Sequence, residues 1–300
     1  MNINHINMRF GLHISIADGI ENAPLRAKVS KCECFQIFSR SPHGGSVRKI
    51  DAAVAQAFKD NLAKGEARDF FIHSPYYINF ASGSSRIYYG SISAIRSELE
   101  VSDLLGANAV VTHLGSAKDL GEEEAKRKLI AGLSKVFEIP SSAKDAKPKY
   151  SKFKAKLLLE ITAGSGNIMG DTFEEIAYFI KETEKIIGKN TLGVCFDTAH
   201  AFASGYDLRT PEAVKKTFTK FDKIVGIDRI KLVHLNDSAA DLDSHIDRHS
   251  NIGKGKIGVE GITAILRELQ ERDLDFVLET PPPGSGKDLE VLREVRERLI

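Results

Sequence analysis

Short apolar runs rich in Val, Ile and Phe alternate along the chain with longer segments in which apolar residues recur at helical spacing. This alternation is typical of repeated strand and helix units around a parallel sheet. The runs predicted as strands are residues 10–15, 34–38, 69–73, 109–113, 155–160, 193–197, 231–235 and 275–279. The helices predicted between them include residues 50–64, 91–105, 122–137, 172–187, 210–221 and 258–271. Eight such units predict an α/β fold of the closed (β/α)8 barrel type, a TIM barrel.

The length and composition fit one folded domain. The chain has 300 residues, of which 42% are hydrophobic and 28% charged, so disordered, collagen-like and coiled-coil proteins are excluded. No Pro-, Ser- or Gly-rich linker divides the sequence. We therefore expect a single domain over residues 1–300.

The charge balance offers no general attraction for polyanions, because 42 Lys and Arg residues face 41 Asp and Glu residues. Any contact with nucleic acid must therefore be built locally. The first ten residues lack the features of a signal peptide, and no stretch reaches the roughly 18 apolar residues of a membrane span. We expect a cytoplasmic protein without membrane contact, with Cys32, Cys34 and Cys195 as free thiols.

One biased segment, residues 141–156, is rich in lysine. It leads from a predicted helix into a predicted strand, and barrel geometry places such a loop on the face opposite the usual active site. We interpret it as a solvated loop, with DNA binding as the less favoured alternative.

Six of the eight predicted strands have a side chain of a type that binds metals at their carboxyl end or one residue before it: His73, His113, Glu160, Asp197, His234 and Glu279. In a barrel the carboxyl ends of different strands converge over one mouth. A single such residue is more often a helix cap or a hydrogen-bonded surface group. Six together would be costly to bury unless cations compensate them, and mixed His and carboxylate ligation suits Zn, Mn or Fe better than Mg or Ca.

Three further groups extend this set. His200 follows Asp197 by three residues, and Asp247 and His249 lie two residues apart in a predicted loop. Nine ligand-type groups exceed the need of one tetrahedral zinc, so we expect two or three metal ions. Multinuclear centres of this kind hydrolyse phosphoesters.

Four longer stretches carry a family resemblance: LEITAG at 159–164, GVCFDTAHAFASGYDLRTP at 193–211, VHLNDS at 233–238 and DRHSNIGKGKIG at 247–258. They closely resemble the bacterial and archaeal endonuclease IV family, and the likeness runs from GLHIS at 11 to LETPPP at 278. The resemblance implies a xylose isomerase-like barrel with three zinc ions. It also implies a base-excision repair enzyme that acts on damaged double-stranded DNA as a monomer. Such an enzyme hydrolyses the phosphodiester 5′ to abasic sites, leaves 3′-hydroxyl and 5′-deoxyribose phosphate ends, and clears blocked 3′ ends.

The resemblance also assigns the ligands by position. The first zinc would be held by His73, His113 and Glu160, the second by Glu160, Asp197, His234 and Glu279, and the third by His200, Asp247 and His249. Glu160 would bridge two ions and act in catalysis with Glu279, which would orient the attacking water. Mn²⁺ is compatible with some of these sites.

DNA contacts follow less directly from the resemblance. Tyr76 matches a tyrosine that enters the duplex in the family, with packing at the barrel rim as the alternative. The segment FQIFSRSPHGG at 35–45 departs from the expected run K-N-P-R-Q-W, because His43, Gly44 and Gly45 replace the long basic and aromatic side chains. Arg40, or the more distant Arg48 and Lys49, could supply a phosphate contact instead.

Two glycine-containing loops are further candidates for contact with the DNA backbone. Residues 253–256 include Lys254, and residues 164–167 follow Glu160, with simple turns as the alternative for both. Among the remaining histidines, His13 is expected near the metals or at a phosphate, whereas His5 and His245 are expected at the surface.

Two other functions use the same sequence features. Sugar isomerases and epimerases share the barrel with one or two divalent metals, but they do not need a third group such as His200, Asp247 and His249. A barrel that binds damaged DNA without cutting it is the non-enzymatic alternative, and the intact ligand set argues against it.

Overall fold

The computed structural model describes residues 7–44, 50–67, 69–139 and 148–299. Eight parallel strands close into a barrel in chain order. They are β1 (Met8–His13), β2 (Cys34–Phe38), β3 (Asp69–His73), β4 (Ala109–Thr112), β5 (Lys156–Glu160), β6 (Leu192–Asp197), β7 (Ile230–His234) and β8 (Leu274–Leu278). The predicted α/β TIM barrel is thereby confirmed, and each predicted strand boundary lies within two residues of the observed one.

Helices surround the barrel in the described residues. They are α1 (Ala23–Val29), α2 (Ala52–Leu62), α3 (Ser85–Leu105), α4 (Glu122–Phe137), α5 (Phe173–Ile187), α6 (Thr198–Ala203), α7 (Pro211–Ile224), α8 (Gly258–Leu269) and α9 (Ser285–Leu299). The side chains of Asp51, Thr172 and Thr210 cap the N-termini of α2, α5 and α7 by accepting a backbone N–H three residues on. None of the helices in these ranges combines the length and apolar character that crossing a bilayer requires.

Apolar side chains form two layers. Inside the barrel lie Cys34, Phe71, Ala109, Val111, Leu158, Cys195, Leu232 and Val277. A larger core, which includes Phe10, Phe35 and Phe70, fills the space between the barrel and its helices. Gly11 occupies the corresponding position of β1 because a Cβ there would lie 1.7 Å from the carbonyl oxygen of Cys34.

In the part of the chain that the structure describes, two short antiparallel strand pairs stand outside the barrel. Asp237–Ser238 pairs with His249–Ser250, and Glu138–Ile139 pairs with Lys149–Tyr150. In the lysine-rich segment 141–156, residues 141–147 lie outside the described residues. The remaining part leads into β5 at Lys156, the end opposite Glu160, which agrees with the expected face.

Candidate metal centre

The strand alternation explains why the predicted end residues converge. In a strand, side chains two residues apart point to the same side. The buried interior residues of six strands are therefore followed, two positions later, by a side chain that also enters the barrel. The pairs are Phe71 and His73, Val111 and His113, Leu158 and Glu160, Cys195 and Asp197, Leu232 and His234, and Val277 and Glu279.

Glu160 is fully buried and lies between two groups of imidazoles. Its Oε2 is 3.0 Å from Nε2 of His73 and 3.5 Å from Nε2 of His113. Its Oε1 is 3.1 Å from Nδ1 of His234 and 3.4 Å from Nδ1 of His200. Each carboxylate oxygen thus serves a different group, which is the arrangement that a bridging ligand needs.

A second group forms around His234. Its Nδ1 lies 3.2 Å from Oε2 of Glu279 and 3.8 Å from Oδ2 of Asp197, in addition to its contact with Glu160. These four residues offer ligand atoms that all lie within 4.8 Å of one another.

The third group joins a short helix to a loop. His200 stands on α6, where the side chain of Asp197 accepts the backbone N–H of His200 at 2.8 Å. Oδ1 of Asp247 lies 3.2 Å from Nε2 of His200 and 3.4 Å from Nε2 of His249. Asp197 is also close, with Oδ2 at 3.8 Å from Nε2 of His249. The structure therefore brings all nine predicted ligands to one mouth, and Asp197 adjoins both the second and the third group.

Backbone carbonyls orient several of these imidazoles. Nδ1 of His73 lies 2.7 Å from the backbone oxygen of Ser74, and Nδ1 of His200 lies 2.9 Å from the backbone oxygen of Ile161. Because a carbonyl only accepts, each Nδ1 donates and Nε2 is left to bind elsewhere, as in metal-binding histidines. In the described residues, the buried Nε2 atoms of His200 and His249 make no aligned hydrogen bond, although Oδ1 of Asp247 lies 3.2 and 3.4 Å from them.

This donor set fits a divalent transition metal. Imidazole lone pairs and carboxylate oxygens that face each other repel unless a cation or a proton lies between them. Ligand atoms about 2.1 Å from a tetrahedral zinc lie about 3.4 Å apart. The separations of 3.0 to 3.8 Å between the centre's His nitrogens and carboxylate oxygens are close to that value.

Protons compensate the same charges in the metal-free protein. Burial would raise the pKa of Glu160, but His113 and His234 lower it well below its ordinary value. Burial would lower the pKa of His200, but Asp197 and Asp247 raise it well above its ordinary value. The pKa of His73 is raised in the same way against burial, by Glu160.

These shifts predict that metal binding releases protons at neutral pH. Histidines with raised pKa values hold protons below that pKa and must lose them to ligate, so metal affinity should rise with pH, roughly tenfold per pH unit for each proton released. Calorimetric titration of metal-free protein with zinc in two buffers of different ionisation enthalpy measures the release. Equal apparent enthalpies in the two buffers would contradict the prediction.

Tyr76 lies at the rim of the mouth and is 58% exposed. Its backbone N–H donates to the Pro42 oxygen at 3.1 Å, and its ring centre lies 5.3 Å from Phe38 and 5.7 Å from His43. The ring therefore has aromatic neighbours at the rim while more than half of the residue stays exposed. His43 lies next to this tyrosine in place of the expected basic residue, and Gly45 lies outside the described residues.

The expectation that Arg40 contacts a phosphate needs correction. Its side chain is only 8% exposed, with Nε 2.5 Å from Oε1 of the buried Glu98. Its Nη2 donates to Oγ of Ser97 at 2.9 Å. The guanidinium is thus already neutralised by α3 and anchors the segment after β2. The alternatives Arg48 and Lys49 lie outside the described residues.

Both glycine-containing loops reach the surface, since Lys254 in one and Asn167 in the other are exposed. Gly164 has a φ of +72°, and a Cβ there would lie 2.4 Å from Oδ2 of Asp171, so packing alone requires this glycine. His245 is about half exposed, as expected, with Nδ1 3.2 Å from the Ala163 oxygen. His5 lies outside the described residues.

Two amide side chains of the centre, Gln36 and Asn236, were not predicted from the sequence. Gln36 follows the interior residue Cys34 by two positions, and its Nε2 donates to Oε1 of Glu279 at 2.8 Å. Asn236 donates from Nδ2 to Oδ2 of Asp197 at 2.8 Å and accepts the backbone N–H of Glu279 at 2.8 Å. A polar residue at an interior strand position is the signal that would have identified Gln36.

Comparisons with known proteins agree with this geometry. The sequence profile of the xylose isomerase-like TIM barrel family matches residues 25–295. A probable endonuclease 4 from Methanoculleus marisnigri is 38% identical over 287 residues, which cover 96% of this chain and 97% of that protein. The crystal structure of endonuclease IV from Thermus thermophilus superposes with a TM-score of 0.80 at 32% identity, covering 97% of this chain and 99% of that chain. A D-tagatose 3-epimerase-like protein, with a TM-score of 0.69 at 20% identity over 97% of this chain and 98% of that chain, shares the fold.

Proposed function

The chain belongs to the endonuclease IV family within the xylose isomerase-like TIM barrels, and from this premise we propose how its mouth acts on DNA. It is a metal-dependent endonuclease of the abasic-site type. We propose that it hydrolyses the phosphodiester 5′ to abasic sites in duplex DNA as a monomer, leaves a 3′-hydroxyl, and also clears blocked 3′ ends. The observation that carries this proposal is Glu160, whose two oxygens each face a different group of histidines.

Three zinc ions are proposed for the three ligand groups, with Mn²⁺ as a compatible substitute at some of them. The first would be held by His73, His113 and Glu160, and the second by Glu160, Asp197, His234 and Glu279. The third would be held by His200, Asp247 and His249, and Asp197 also offers a ligand atom beside those of His200 and His249. When bound, these ions would supply Lewis-acid chemistry, namely a lower pKa for water and neutralisation of charge on the phosphate.

The protein's own side chains position the reacting groups. Glu279 is partly exposed to the mouth. Gln36 donates a hydrogen bond to Oε1 of Glu279, and Oε2 of Glu279 lies near Nδ1 of His234. This carboxylate is placed to orient the attacking water and accept its proton. The mouth forms a cavity of about 410 Å³ between Phe38, Tyr76 and the ligands, which suits a sugar phosphate that has been turned out of the duplex.

The third ligand group separates this function from that of a sugar isomerase. Transfer of a hydrogen between adjacent carbons requires one or two divalent ions, whereas phosphodiester hydrolysis also develops charge on the leaving oxygen. His200, Asp247 and His249 provide a site for an additional cation.

Incision of a labelled duplex with one tetrahydrofuran abasic analogue tests the proposal. We expect a single cut 5′ to the analogue with a 3′-hydroxyl, lost after chelation and restored by zinc. An undamaged duplex of the same sequence is the control. No incision by protein shown to carry zinc would overturn the proposal, and aldose and ketose substrates would then be screened.

Replacement of Tyr76 by Ala is expected to weaken binding of the lesion duplex about tenfold, because a stacked aromatic side chain contributes about 1–3 kcal/mol per base. Tyr178→Ala is the matched control, since Tyr178 is also exposed but lies on α5. Fluorescence anisotropy with lesion and undamaged duplexes measures the effect. Equal losses in both variants would argue against a role of Tyr76 in lesion recognition.

A further inference from the structure

Gln36 links three side chains of the metal centre from a fully buried position on β2. Its Nε2 donates to Oε1 of Glu279 at 2.8 Å and lies 3.0 Å from Nδ1 of His13. Its Oε1 lies 2.9 Å from Nε2 of His234. These three contacts of the Gln36 amide are therefore all made with residues of the mouth.

The chemistry of these partners determines which end of the amide is which. A carboxylate only accepts hydrogen bonds, so the NH₂ group must face Glu279. The amide oxygen then faces His234, and because this oxygen only accepts, Nε2 of His234 carries a hydrogen. The other ring nitrogen, Nδ1, is thereby the one that faces Glu160 and Glu279 at 3.1 and 3.2 Å.

The second hydrogen of the same NH₂ group determines the state of His13. An amide NH₂ only donates, so Nδ1 of His13 must accept from it, and the ring hydrogen is then on Nε2. Oε1 of Glu279 competes for Nδ1 of His13 from a longer distance of 3.5 Å.

His13 is held where such a hydrogen could be used. Its ring packs on Phe38 with centres 4.4 Å apart, and it lines the mouth cavity together with Glu160 and Glu279. Within the described residues, Nε2 of His13 is buried and has no hydrogen-bond partner. A buried donor without an acceptor is costly, and a ligand that supplies an acceptor removes this cost.

We propose that Gln36 is a positioning residue that fixes the tautomers of His234 and His13, so that His13 presents Nε2–H as a neutral donor to a DNA phosphate oxygen. The identity of the acceptor rests on the proposed function, whereas the tautomers rest on the hydrogen bonds alone. Neither the choice of tautomer nor the donated hydrogen bond requires a residue of the centre to gain or lose a proton.

Long-range ¹H–¹⁵N spectra of the zinc-loaded full chain, labelled at histidine nitrogens, test the tautomers directly. We expect both His13 and His234 to carry hydrogen on Nε2. A hydrogen on Nδ1 of His13 in the unmodified protein would overturn the proposal, and this measurement requires no variant to fold.

Gln36→Glu tests the cause of the tautomer, because it keeps the shape of the side chain but removes both donated hydrogens. The new carboxylate can only accept, so His13 should move its hydrogen to Nδ1. Gln56→Glu is the matched control, since Gln56 is exposed on α2 and bonds only Asp60 among the hydrogen bonds of the described residues. An unchanged His13 spectrum in a folded, zinc-loaded Gln36→Glu protein would overturn the role of Gln36.

A pair of substitutions at His13 tests the donor. The amide nitrogen of Gln lies near the position of Nε2, whereas that of Asn lies near Nδ1. We expect His13→Asn to raise KM for the tetrahydrofuran duplex about tenfold, as for loss of a hydrogen bond to a charged group, and His13→Gln to stay within about threefold. An equal rise of KM in both variants would overturn the assignment of Nε2 of His13 as the donor. Failure of the proposed function is a different result, because the unmodified protein would then show these tautomers without cutting DNA.

Discussion

Replacement of Glu160 by Ala is expected to abolish incision, with a loss of roughly a thousandfold or more. The carboxylate contacts His73 and His113 through one oxygen and His234 and His200 through the other. Its removal leaves two ligand groups without their shared member. Because Lewis-acid stabilisation of a phosphoryl transition state amounts to several kcal/mol, and each 1.4 kcal/mol changes a rate about tenfold, the loss should reach at least three orders of magnitude.

Metal content and incision should be measured on the same preparations. Glu182→Ala is a suitable control, because Glu182 lies on the outer helix α5 and pairs only with Lys185 among the ion pairs of the described residues. Glu160→Gln should keep part of the metal but not the bridge, since a neutral amide offers one oxygen in place of two. Full activity in a metal-loaded Glu160→Ala protein would show that the assignment of Glu160 is wrong.

The barrel could be predicted because its strands are short, buried on both faces and regularly spaced. Their carboxyl ends were identified within two residues, since an interior apolar position fixes the direction of the side chain two residues later. Helix α3 begins at Ser85, six residues before the predicted start, and its buried face already includes Tyr88. Gly90, a poor helix former, interrupts the helical pattern between Tyr88 and the predicted start. Helices α1 and α6 have seven and six residues, too few to produce a clear period.

The metal-binding residues could be recognised by type, whereas among the amides that orient them only Gln36 offers a sequence signal, its interior strand position. A single histidine or carboxylate at a strand end can be a helix cap or a surface group, but six of them together are best explained as metal ligands. Gln36 and Asn236 act through hydrogen bonds that exist only after β2 and the residues beyond β7 are brought beside β8. Arg40 was wrongly expected at DNA because its partner Glu98 lies on a helix far along the chain.

Asp237 is a fully buried carboxylate that organises the loop after the third ligand group. Its side chain accepts backbone N–H groups at 2.8 to 3.3 Å from five residues: Ser238, Gly253, Gly255, Ile257 and Gly258. A Cβ on Gly255 would lie 2.4 Å from Oδ1 of Asp237, so this approach requires a glycine. One carboxylate therefore serves as the acceptor for five backbone N–H groups of this region.

Replacement of Asp237 by Ala should lower the free energy of unfolding by about 3–5 kcal/mol, because five backbone N–H groups lose this acceptor and those of Ser238 and Ile257 are buried. The same change should loosen the strand pair that joins Asp237–Ser238 to His249–Ser250, and with it the third metal site. Asp241→Ala is the matched control, since Asp241 is exposed and pairs with Lys256. Denaturant unfolding of zinc-loaded protein, with metal counted per chain, measures both effects. If the free energy of unfolding of Asp237→Ala lay within about 1 kcal/mol of that of the control and the variant kept its full metal content, the prediction would be wrong. The loop would then be held by its glycine turns and apolar contacts instead.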